Sequence, residues 1–111
     1  MQVEGEECLS IYQARVEDAN RGGNTESPAQ RHFCSRCGSA LWLWGPRWPE
    51  LVHPFASAID TELPVPPQRT HMMLKYAETW IEPDIREGDE AYDVYPEESL
   101  LQWHERHSLD V

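Results

Sequence analysis

Positive charge is scarce in this chain: nine Lys and Arg stand against twenty Asp and Glu, for a formal net charge of −11. Nucleic-acid affinity comes mainly from Lys and Arg neutralising phosphates, so no nucleic-acid partner is expected. An anionic membrane surface is disfavoured for the same reason. The acidic residues are spread along the chain and peak near Glu82–Glu98, as a solvated face would be. Cysteine is scarce too, and odd in number at three. That does not suit the disulfide framework of a small secreted domain; in a reducing compartment a close cysteine pair serves metal or redox chemistry. No apolar stretch approaches the roughly 18 residues a membrane span requires. No basic and then apolar leader opens the chain, so a soluble, cytoplasmic protein is expected. Also missing are G-x-S-x-G, H-E-x-x-H and a glycine-rich phosphate loop, and with them the chemistries those motifs serve.

What is present suits one domain. At 111 residues the chain should bury roughly 60–70% of the surface its unfolded form exposes, which allows a modest core. Five Trp, four Tyr and two Phe supply much of the material, and nine Pro and six Gly favour short elements over long helices. Strands are expected at Glu7–Gln13, Ala40–Trp44, Leu51–Ile59, Gln68–Leu74 and Thr79–Glu82. Pro54 implies an edge or a bulge in the third of these. The polar, glycine-rich run at 18–28 is expected to be a mobile loop, Asp60–Pro67 a proline-rich connection and Asp84–Asp93 an acidic loop. One short helix is expected near 96–107, with Pro96 at its first position and Glu97 and Glu98 in its first turn. His104, Arg106 and His107 fall in its last turn, and Leu100 and Trp103 make the packing face.

The chemistry concentrates at Phe33-Cys34-Ser35-Arg36-Cys37-Gly38-Ser39. Two residues between cysteines let both sulfurs converge on one ion at about 2.3 Å each. Gly38 can take a positive φ and wrap the chain around that ion, leaving N–H groups aimed at the thiolates. Arg31 and Arg36 add positive potential. The pair reads as half of a structural zinc site. A dithiol redox pair and two ordinary small turn residues are the competing readings; no helix opens after Cys34 to lower a thiol pKa. A structural zinc ion wants four ligands. Cys8 reads as a strand thiol rather than a ligand. His104 and His107 complete a two-Cys, two-His set only at an unusually short spacing, and reading them as donors to the helix C-terminus competes with that. His32, His53 and His71 are isolated, and a general-base role for Asp60 or Glu62 is weakly supported.

The stretch Arg31–Trp44 (RHFCSRCGSALWLW) resembles the last cysteine motif of the glutathione-dependent formaldehyde-activating enzyme family, also called the centromere protein V domain family. Gly5–Tyr12, the Ser57-Ala58-Ile59-Asp60 stretch, His71-Met72, Trp80 and Tyr95–His107 extend the resemblance over nearly the whole chain. It covers the C-terminal part of the family pattern only, because the two upstream cysteine motifs are missing. The resemblance implies a mainly β, Mss4-like zinc-binding fold, here one partial domain over 1–111 with one C-terminal helix. It implies a structural zinc ion held by four cysteines, two of them Cys34 and Cys37, and a catalytic zinc ion whose three ligands lie upstream. It implies glutathione or a glutathione adduct as partner and a carbon–sulfur lyase activity that joins formaldehyde and glutathione. The alternative is a non-catalytic zinc-binding or dimerising module, in which two copies pool their cysteine pairs around one ion. With strands missing, exposed sheet edges and apolar surface are expected.

Overall fold

The computed structural model describes residues 2–17 and 22–109. Packing divides the chain into two units, Met1–Leu63 and Pro64–Val111. The division falls inside the proline-rich connection expected from the sequence.

The first unit is built on one antiparallel sheet of order β1-β4-β5-β6. Its strands are β1 (Leu9–Tyr12), β4 (Gln30–Cys34), β5 (Ala40–Trp44) and β6 (His53–Pro54). β1 and β4 continue outward into a separate two-stranded ladder of β2 (Arg15–Glu17) and β3 (Asn24–Glu26). Between the two ladders the returning strand carries two more residues than the outgoing one. The irregularity is pinned by Ser27 N–H donating to Ala14 O at 2.7 Å and by Gln13 Nε2 donating to Ser27 O at 3.1 Å. The glycine-rich run is therefore not all loop. Gly22 and Gly23, at φ 71 and 69, turn the chain, and residues 24–26 return as a strand. Residues 18–21 of the expected loop lie outside the described residues.

β5 is the expected apolar strand, ALWLW, and it faces β4 across a bulge. The register moves between His32↔Trp42 and Phe33↔Ala40, leaving Leu41 as the extra residue. Leu41 does not waste its carbonyl, which accepts from Phe55 N–H at 3.0 Å and draws the next segment alongside. Across the same ladder the His32 ring stacks on Trp42 at 4.9 Å and 20°, a cross-strand pair. The strand expected over Leu51–Ile59 shrinks to the two residues of β6, followed by a 3-10 turn at Ala56–Ala58. Pro54 has no N–H to give a further neighbour, so the sheet stops there.

The second unit holds β7 (Thr70–His71) and β8 (Glu90–Ala91), paired in parallel, and α1 (Leu100–Arg106). Of the strand expected over Gln68–Leu74 only β7 forms; a 3-10 turn at Leu74–Tyr76 ends it, preceded by Met73 at φ 61. The strand expected at Thr79–Glu82 is absent: Thr79 and Trp80 form a turn, and Trp80 is 77% exposed. β-branched and aromatic residues fit a pleated surface but do not create one without a partner strand.

The helix is shorter than expected and starts later. Ser99, not Pro96, sets its beginning through a reciprocal capping box: Ser99 Oγ accepts from Gln102 N–H at 3.1 Å, and Ser99 N–H donates to Gln102 Oε1 at 2.8 Å. Serine and a glutamine three residues on outbid the proline because they satisfy two otherwise orphaned N–H groups. Trp103 is half-buried as expected, whereas Leu100 is 65% exposed and does not pack. Ser99→Ala should cost about 1 kcal/mol of helix stability. The check is amide exchange at Gln102, which should speed up about fivefold; an unchanged rate would mean the helix is held by Arg106 alone.

Mainly β structure with a single C-terminal helix is thus what the chain adopts. The modest core is not there: among the described residues no side chain is fully buried. Exposed apolar surface is found instead, with Ile11 and Tyr12 on β1 at 54% and 55%. No helix among the described residues is long and apolar enough to cross a membrane.

Candidate metal and thiol site

The Cys-x-x-Cys motif is the hairpin loop between β4 and β5. Cys34 N–H donates to Ser39 O at 2.9 Å and closes the loop; Gly38 N–H donates to Cys34 O at 2.7 Å inside it. Gly38 sits at φ 78, the positive value expected, so a side chain at this position would be strained even though open space surrounds it. Four residues thus reverse the chain and carry Cys34 and Cys37 on one tight turn.

Cys37 is exposed and Cys34 half-buried. Cys37 Sγ lies 3.2 Å from Ser39 Oγ. The thiol donates there when neutral; once it ionises, the Ser39 hydroxyl turns to donate to the sulfur. That hydroxyl, then the Ser39 N–H and the Cys34 thiol, hold the Cys37 pKa below the usual thiol value. A lowered thiol pKa favours the thiolate, which is the form that binds a metal or attacks an electrophile.

The third cysteine is brought to the same place, which spacing alone did not reveal. Cys8 ends a 3-10 turn at Glu6–Cys8 rather than lying within a strand. Its carbonyl accepts from both Ser35 N–H at 2.7 Å and Ser35 Oγ at 2.8 Å. The pairing of β1 with β4, Leu9 opposite Cys34, carries it there. Cys8, Cys34 and Cys37 line one open groove of about 830 Å3, together with Ser39, Trp42 and Asp60. Of the two acids considered from the sequence, Asp60 reaches this groove and Glu62 is not among its lining residues. Among the described residues the groove wall contains no Lys, Arg or His.

Whether these residues fit a zinc ion can be judged from the donors. Two thiolates on one turn suit half of a tetrahedral set. Among the described residues no group of three or more His, Cys, Asp or Glu is arranged to hold a metal ion.

The histidines of the second unit have other employment. His104 Nδ1 donates to Leu100 O at 2.7 Å, one turn back at the start of α1 and not at the helix C-terminus expected from the sequence. His107 Nε2 lies 3.3 Å from Gln68 Oε1, and its ring packs on Trp103 at 4.4 Å. His71 donates to Asp89. An open groove of about 490 Å3 lies beside α1, but its one cation, Arg106, is already paired with Glu98 and Glu90.

The chain is 53% identical over 108 residues to a protein of Halomonas elongata provisionally named a glutathione-dependent formaldehyde-activating enzyme. The match takes in 97% of this chain and 65% of that protein's length, so the chain spans a little under two thirds of its relative. No family model matches the chain, and no solved structure does.

Proposed function

We propose that this chain, a member of the glutathione-dependent formaldehyde-activating enzyme family, is the part of a carbon–sulfur lyase that holds half of a structural zinc site on Cys34 and Cys37. The observation that carries the reading is the hairpin loop, where two cysteines converge on a turn made by Gly38 with Ser39 hydrogen-bonded to Cys37, in a chain so similar to a named member. A zinc ion bound there would be structural: it would tie the β4–β5 loop to whatever supplies the other two donors.

The family chemistry joins a thiol to an aldehyde carbon. The thiolate sulfur forms the new C–S bond, the carbonyl π bond breaks, and the oxygen takes up the proton. This chain's own contribution is limited to the open groove, whose volume is ample for part of a tripeptide thiol. Glutathione carries two carboxylates, and the groove wall offers them no cation.

The second reading is a zinc-binding module that dimerises by pooling two Cys34–Cys37 pairs. One experiment separates the two: zinc per chain by elemental analysis, together with native mass. About half a zinc per chain in a dimer that a chelator dissociates supports the shared ion. Zinc retained by a monomer, with two ligands exchangeable, supports the half-site awaiting its own missing donors. A chain that takes up no zinc under reducing conditions would overturn both.

A further inference from the structure

The two edges of the β1-β4-β5-β6 sheet are unlike each other. β6 is two residues long and ends in Pro54, which cannot donate to another strand. β1 is four residues, Leu-Ser-Ile-Tyr, with no charge and no proline. Among the described residues only one of its sides is paired. Ser35 N–H donating to Cys8 O fixes the phase of the antiparallel ladder, so Ser10 and Tyr12 face β4 while the N–H and C=O of Ile11 face outward. Ile11 and Tyr12 are both more than half exposed. None of the devices that ordinarily protect an edge strand is present within β1. The strand continuing it, β2, does carry charges, Arg15 and Glu17, so the open stretch is confined to β1.

A second copy is disfavoured as the occupant of this edge, since each copy brings a net charge of −11. The relative supplies a better candidate: 35% of its length lies outside a match that takes in nearly all of this chain.

We propose that the β1 edge is a strand-acceptor site, and that its occupant is an extended segment from polypeptide equivalent to the unmatched third of the Halomonas relative. The backbone of that segment pairs with the outward N–H and C=O of Ile11. Its apolar side chains cover Ile11 and Tyr12, and its flank is neutral or basic where it passes Glu4, Glu6 and Glu7. The pairing extends the sheet by one strand on the side where the thiol groove opens, since Cys8 and Leu9 belong to both. The inference does not depend on zinc, and its readouts need no metal.

The test mixes the 111-residue chain with separately produced polypeptide comprising the part of the Halomonas protein outside the match, both metal-free. A one-to-one complex by native mass spectrometry is expected, with amide exchange at Ile11 slowed at least tenfold and exchange at His53 unchanged. Ile11→Pro removes the outward donor and should weaken the complex at least tenfold, while Ile11→Val keeps it. Should Ile11→Pro disturb the sheet, as read by Trp fluorescence, Ile11→Lys charges the strip without touching the backbone and should weaken binding likewise. No complex, a complex that leaves Ile11 unprotected, or an Ile11 amide already protected by self-association of the chain alone would each overturn the proposal.

Discussion

Cys37→Ser is expected to lower zinc affinity at least a hundredfold, to the level of adventitious binding. A structural zinc ion held by thiolates loses a charged, deprotonated donor when one cysteine becomes serine, because a hydroxyl does not ionise to replace it. The proposed two-thiol half-site would keep no reserve donor on this chain. Ser39→Ala should act through Cys37 and be milder, about tenfold to a hundredfold, the range for losing a hydrogen bond to a ligating atom. Its hydroxyl is the main group holding the Cys37 thiol down, so the variant should also need a higher pH to load metal. The sign follows from the thiolate being the binding form: raising the thiol pKa moves the loading curve toward alkaline pH. Cys8→Ser is the control. It shares the groove but not the turn, and its zinc content should match the wild type. Cobalt in place of zinc gives the readout, since each thiolate ligand contributes a charge-transfer band. Equal loss of that band in Cys8→Ser and Cys37→Ser would replace the two-thiol half-site with a three-thiol one.

How much of this was legible in the sequence depends on whether the cause was local. The hairpin loop was legible because Cys34, Cys37 and Gly38 each state their requirement within six residues. β5 was legible as a compact apolar run, and Pro54 as an edge marker. The C-terminal helix was legible in kind but not in extent. Its start is decided by the Ser99–Gln102 box, and a proline three residues earlier competed for the same role. Strand pairing was not legible. The strand expected at Thr79–Glu82 has the right residue types and no partner, while residues 24–26, polar and unpromising, become a strand because β2 lies opposite. Cys8 reached the thiol groove by the same means, the register of β1 against β4, which no spacing along the chain encodes. The absence of a core was the largest surprise. Eleven aromatic residues promise burial, but burial needs a second layer to close over them, and that layer is not among the described residues.

Asp89→Ala is expected to unfold the β7–β8 pair and lower the melting temperature of the second unit by roughly 5 °C or more. Its carboxylate ties together Arg69, His71 and Arg86. Asp89 Oδ1 accepts from Arg69 N–H at 3.2 Å; Oδ2 accepts from Arg86 N–H at 3.0 Å and from His71 Nε2 at 3.2 Å, and pairs with the Arg69 guanidinium at 3.1 Å. Arg69 and His71 flank Thr70 on β7, and Asp89 immediately precedes β8, so the carboxylate closes the ends of a two-residue parallel ladder too short to hold itself. The side chain is only 7% exposed, and removing it leaves its donors facing a gap. The Arg86 N–H first, then the His71 ring and the Arg69 groups, hold the Asp89 pKa far below the ordinary carboxylate value, against the opposing effect of burial. A folded-state pKa below the unfolded one gives stability that is fully present above the ordinary value, near pH 4, and is lost as pH falls through the region beneath it. Wild-type protein should therefore lose second-unit stability steeply below about pH 4, and Asp89→Ala should show a shallower acid limb from a lower plateau. The limb should not vanish, because Glu98 is held down in the same sense by Arg106. Trp103 fluorescence, followed through melts across the acid range, reports on this unit. Superimposable acid limbs for the two proteins would remove Asp89 from the role given to it, and a melting temperature unchanged at neutral pH would show that the ladder is held by the Arg106 contacts to Gln68 and Glu90 instead.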